Sequence, residues 1–163
     1  ESLRFRASPP EVGTNQEVFG RSDVRRACIP GAQGIMNARS QARFYAMLAN
    51  LGELDGIRLL SEDRVRTFNI PRPPCDYDPV HGVPHHGTIG GLHFAGSPGM
   101  GAMGNNPRAF GHNGAGGSLG WADPGNRLAV AVQHNRMVPH GPPEESPLTP
   151  IGTAVREALG IPH

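Results

Sequence analysis

Residues 110–124 read Phe-Gly-His-Asn-Gly-Ala-Gly-Gly-Ser-Leu-Gly-Trp-Ala-Asp-Pro, and a second apolar segment, Arg127 to Gln133, follows a Pro-Gly-Asn turn. This passage restricts the chain more than any other. Glycines at 111, 114, 116, 117 and 120 strip side chains from what otherwise reads as β-structure, and strand glycines mark places where another backbone or a ligand comes close. A bare sheet edge is the expectation. His112, inside the same run, adds a group that can donate or accept a proton near neutral pH.

The rest of the composition narrows the chemistry. A length of 163 residues suits one compact domain with a core that needs no disulfide or metal staple. The 23 glycines and 17 prolines come without a short repeat or biased tract, so they read as loops. All basic side chains other than histidine are arginine, because the chain contains no lysine. Schiff-base chemistry, a phosphate-loop lysine and a lysine general base are therefore excluded from it. A formal charge of +1, with arginines and carboxylates interspersed, argues against a nucleic-acid partner.

Cys28 and Cys75 are too far apart for a metal motif and read as small buried residues or unpaired thiols. No apolar run approaches the ~20 residues that cross a bilayer. The chain starts at Glu1 without an initiating methionine, so removal of an upstream segment is expected and the compartment, cytoplasm or cell envelope, stays open.

Along the chain, residues 1–28 are polar, proline-bearing and weakly patterned and read as an extended lead-in. Asn37 stands as an N-cap before a helix over Ala38 to Asn50, whose apolar face is Ala42, Tyr45, Ala46, Leu48 and Ala49, and Gly52 ends it. Arg39 and Arg43 on that helix are expected to stay solvated or to pair with Glu53 or Asp55. A tight connection then leads to Ile57–Leu60, and Ser61 caps a second short helix with Glu62 and Asp63 in its first turn. Pro71 to His86 reads as a long surface loop. Strands are expected over Thr88 to Ala95, Ala109 to Ala122 and Arg127 to Asn135, and a final helix through Leu159 is stopped by Gly160 and Pro162. The fold class is α+β, an antiparallel sheet flanked by helices.

Two passages resemble the C-terminal portion of the serine β-lactamase and penicillin-binding-protein-like family, its class C and esterase branch. Gly34 to Leu60 is similar to a helix and turn of the family's helical subdomain, and Phe110 to Met137 to its third motif and the strands after it. His112-Asn113-Gly114 fits the His-x-Gly form of that motif. The resemblance implies a partial β-lactamase-like fold, with 29–70 belonging to the helical subdomain and 71–163 supplying sheet strands and the closing helix. It implies that His112 orients substrate, that Gly114 leaves clearance and that the backbone N–H of Ala115 is an oxyanion donor. Asn113, Gly116 and Trp121 are then expected on the substrate side. The family's Ser-x-x-Lys is absent from a lysine-free chain, and neither Tyr45 nor Tyr77 begins a Tyr-x-Asn or Tyr-x-Ser.

The expectation is thus the C-terminal part of a serine hydrolase acting on an ester or amide, inactive alone, whose partner is a missing N-terminal part or another copy of the chain. No cofactor is implied. The competing class is a non-catalytic interaction module that uses the bare strand. Gly116, Ser118 and Gly120 imitate a Gly-x-Ser-x-Gly elbow, but that elbow belongs between a strand and a helix. His81, His85 and His86, with His93 and Asp76 or Asp78, are weak metal candidates whose better reading is a solvated loop. Met100 and Met103 read as pocket lining or as plain loop residues.

Overall fold

The computed structural model describes residues 3, 6, 13, 15–32, 34–73, 75–80, 82–137 and 146–163. Among the described residues two short helices are bounded in the expected extended lead-in, α1 (Gln16–Phe19) and α2 (Ser22–Arg26), so those stretches of it are helical instead. Asn15 explains the first of them, since its side chain accepts from Val18 N and caps the turn.

Helix α3 (Ala38–Ala49) starts where the sequence places it, with the Asn37 side chain accepting from Ser40 N at 2.9 Å. It ends through Leu51 and Gly52, both at positive φ, and the Gly52 N–H closes the last turn on the Met47 carbonyl. Strands β1 (Glu53–Leu54) and β2 (Ile57–Arg58) form a small hairpin beside it. Arg43 pairs with Asp55 at 2.5 Å across that junction. Helix α4 (Glu62–Phe68) follows, capped by Ser61.

Four antiparallel strands make the main sheet in the order β3-β4-β5-β6: His93–Phe94, Phe110–Asn113, Leu119–Asp123 and Leu128–Val132. The single strand expected over Ala109 to Ala122 is two strands, because Gly117 at φ +98° turns the chain and Gly114 N–H bonds Ser118 C=O at 2.7 Å. The strand expected over Thr88 to Ala95 shrinks to two residues. Its first half folds into a turn at Gly91 (φ +87°), closed by Thr88 N–H to Leu92 C=O.

The sheet buries a different cluster on each face. Leu119, Trp121, Val130 and Val132 pack with Met100, Met103 and Leu148 on one side; Phe110, Ala122 and Ala129 pack with Tyr45 and Leu48 of α3 on the other. Small residues on that second face let α3 lie close. A Cβ on Gly120 would stand 2.3 Å from the Tyr45 ring. The last helix, α5 (Leu148–Leu159), closes the first face and ends at Gly160 in the left-handed conformation. Met100 and Met103, 1% and 0% exposed, belong to the core cluster. Cys28 and Cys75 are exposed free thiols, so the buried reading of them does not hold.

Candidate functional site

Register fixes how the motif strand is presented. In an antiparallel ladder alternate residues aim their backbone groups at opposite neighbours. The rung Gly114 N–H to Ser118 C=O, and the rung Ala95 N–H to Ala109 C=O on the other side, set the parity. Residues 110, 112 and 114 therefore bond toward β5, and 109, 111 and 113 toward β3. But β3 ends opposite Gly111, its partner being His93. The backbone of Asn113 thus faces an edge that no strand covers among the described residues, and the chain leaves that edge exposed at His112, Gly114 and Ala115.

The five glycines of this passage turn out to serve different purposes. A Cβ on Gly111 would meet Gly120 O at 2.4 Å and the Trp121 Cβ at 2.6 Å; on Gly116 it would meet Met137 at 2.8 Å; on Gly120 it would strike Tyr45. Gly117 is required by its positive φ. Packing and the turn account for these four. Gly114 is the exception: a Cβ there would find its nearest neighbour, Ser118 O, at an ordinary 3.7 Å, and its φ is not left-handed. Among the described residues, no packing neighbour and no left-handed backbone demands a glycine at 114.

His112 and Tyr45 meet on the α3 face. Burial pushes the Tyr45 hydroxyl up from its ordinary 10.0 to about 12, and a backbone hydrogen bond from His112 pulls the other way. A tyrosine whose folded pKa is raised stays neutral in the folded chain while it ionises in the unfolded one. Its contribution is complete below pH 10.0 and is lost as pH climbs toward about 12, a change of ~3 kcal/mol. The chain contains no lysine to titrate across the same interval. Urea unfolding across that interval should show falling stability, and Tyr45→Phe should remove most of the slope.

The remaining expected site residues distribute unevenly. Asn113 is half-buried at the bare edge. Gly116 is packed on Met137, and Trp121 is fully buried in the core; neither faces the edge, because pairing with Gly111 turns the indole to the opposite face of the sheet from His112. Ser118 sits in the turn entering β5, with no helix after it, so the elbow geometry is absent. Of the metal candidates, His81 lies outside the described residues. His85 packs its ring on His93 at 5.1 Å and His86 on Phe94 at 5.3 Å. Among the described residues no group of three or more His, Cys, Asp or Glu is arranged to hold a metal ion. The ring contacts from His85 through His93 to His112, the last at 5.0 Å, were not anticipated from the sequence; only the short β3 register brings them together.

Two surface hollows lie elsewhere. One of about 320 Å³ is lined by Phe44, Leu48, Leu60, Phe68, Gly90 and Leu92, the other of about 150 Å³ by residues around Ala46 and Arg127. Neither touches residues 112–118.

A family model described as Beta-lactamase matches residues 2–149. The chain belongs to the beta-lactamase family. Among members it is 39% identical over 126 residues to the esterase/beta-lactamase LipL of Mycobacterium tuberculosis, a stretch covering 77% of this chain and 28% of that protein. A family VIII carboxylesterase structure superposes with a TM-score of 0.74 at 31% identity, covering 91% of this chain and 38% of the other. EstA from Arthrobacter nitroguajacolicus Rue61a gives 0.74 at 28% identity, covering 94% and 40%. A penicillin-binding protein homolog from Caulobacter crescentus gives 0.61 at 28% identity, covering 75% and 34%. The beta-lactamase-family chain thus spans well under half the length of these relatives, and its α+β sheet with flanking helices is a part of their fold. No helix among the described residues is long and apolar enough to cross a membrane.

Proposed function

We propose that this chain is the C-terminal part of a serine esterase or β-lactamase-like hydrolase and supplies the strand that cradles the substrate carbonyl. The attacking serine and its base come from polypeptide outside these 163 residues, and the chain alone is inactive. His112 orients the substrate, Gly114 keeps the approach clear, and the Ala115 N–H is one oxyanion donor. Such a preorganised donor stabilises the charge that develops on the carbonyl oxygen as the tetrahedral intermediate forms. The serine oxygen bonds to the carbonyl carbon, the alcohol or amine leaves with a proton, and water later releases the acid.

One observation carries the reading: at the exposed end of β4 stands Gly114, where a Cβ would meet no described atom closer than 3.7 Å and the backbone is not left-handed. A surface strand with that property is suited to hold a molecule that arrives from outside. Exposed apolar side chains support a covering polypeptide, either the upstream part of a longer protein or another copy. Ile35, Phe44, Ile57, Leu59, Ile70 and Ile89 are all exposed, apolar side chains that an adjoining polypeptide would cover.

Labelling by a fluorophosphonate probe tests this. The chain alone should show no adduct in its intact mass and no hydrolysis of p-nitrophenyl esters above buffer, while a longer polypeptide that joins it to an upstream Ser-x-x-Lys segment should label on that serine. An adduct on Ser118 of this chain would overturn the proposal. A longer polypeptide that folds but never labels would favour the interaction module.

A further inference from the structure

Between the buried side of the β3 turn and the exposed end of β4 runs a row of three imidazoles. His93 stands at its centre, 5.1 Å from the His85 ring and 5.0 Å from the His112 ring, centroid to centroid. Strand pairing sets this spacing, since His93 is opposite Gly111 and His112 is the next residue, where β3 has stopped. The His112 Nδ1 lies 2.6 Å from the Asn113 carbonyl oxygen.

That contact decides a proton. A carbonyl oxygen can only accept, so the bond exists only if Nδ1 carries the hydrogen. In the neutral ring the other nitrogen, Nε2, is then an acceptor with a free lone pair, on a side chain that is exposed. Isolated imidazole holds no such fixed assignment; it is set by the partner that one nitrogen finds. Keeping Nδ1 over the carbonyl of the very next residue requires the ring to hold one rotamer, and the tilted face of His93 limits the alternatives, with His85 behind it.

We infer that His93 is a positioning residue: its ring holds His112 in the Nδ1–H form, so that Nε2 is presented to the substrate edge as a proton acceptor. This rests on the reading of His112 as part of the substrate site, but its test does not. An Nε2 acceptor fits a substrate or nucleophile that brings a hydroxyl or N–H to the strand, and it disfavours a second acceptor such as a carboxylate oxygen at that place.

Long-range nitrogen–proton NMR of the imidazoles, recorded on the whole chain at a pH above the usual imidazole titration, separates the two neutral forms. His112 should show a protonated Nδ1 and a bare Nε2, with ring-proton cross-peaks to His93. In His93→Ala the cross-peaks vanish and the nitrogen shifts should move toward those of a free, exchanging imidazole. His93→Phe, which restores a ring without a titrating group, should bring the Nδ1–H signature back. A wild-type His112 protonated on Nε2 overturns the inference without any variant, as does a His93→Ala spectrum with the Nδ1–H signature unchanged. Loss of fluorophosphonate labelling in the longer protein would strike the proposed function alone and leave this result standing.

Discussion

Arg156→Met is expected to cost the fold about 3–5 kcal/mol, the penalty for removing one partner of a buried ion pair. Arg156 and Asp123 are 1% and 0% exposed and meet at 3.1 Å. Asp123 also accepts from Asn106 Nδ2 at 2.5 Å and from Asn126 Nδ2 at 2.8 Å, while Arg156 donates to the Pro162 carbonyl at 3.2 Å and to that of Met103. The pair thus ties the end of β5 to α5 and to the loop after Met103. Methionine would fill the space but leave a carboxylate in the interior with only neutral donors. Paired with Asp123→Asn, the same substitution should recover a large part of the loss, since no bare charge remains. Denaturant unfolding of the two single variants and the double variant reads this directly. A single-variant loss below ~1 kcal/mol would mean that water reaches the carboxylate and that burial of the pair is not what holds α5.

Gly114→Val separates fold from function in the opposite way. Because a Cβ at 114 has 3.7 Å to its nearest neighbour and the backbone there is not left-handed, the chain should fold with stability changed by no more than ~1 kcal/mol. On the proposed reading, the new side chain would stand where the substrate of the longer hydrolase lies against the strand. Activity toward esters should fall by about a hundredfold or more, the scale of a misplaced reacting group. Gly120→Val is the contrasting variant. Its side chain runs into Tyr45 and Gln41, so it should lower stability first and activity only as a consequence. Equal activity of Gly114→Val and the parent would remove the reason for assigning the strand end to substrate.

Much of the scaffold could be read in advance. Asn37 and Ser61 are caps in the sequence and in the structure, because a short side-chain acceptor beside free N–H groups has a local energetic reason to start a helix wherever the chain lies. Alternation in Leu128, Val130 and Val132 likewise marked the core-facing side of a strand, β6. The site was less legible. His112, Asn113, Gly114 and Ala115 do stand at one exposed strand end. Trp121, in the same run, points into the core, since which face a strand residue takes depends on pairing register and a one-residue difference reverses it. The glycines looked alike in sequence; only the neighbours of each would-be Cβ distinguish Gly114 from Gly111, Gly116 and Gly120.

The order of residues alone determined where α3 and α4 begin and where α5 ends, which chemistry a lysine-free chain cannot perform, and the likeness of His112–Gly114 to a family motif. Those properties depend on neighbours a few bonds away. Tertiary structure decided that the glycine-rich run doubles back into two strands, that β3 stops one residue short of His112, and that His85, His93 and His112 form one row. Such outcomes belong to contacts between segments far apart in the chain, where the free energy of packing a sheet against α3 and α5 overrides what any local pattern prefers.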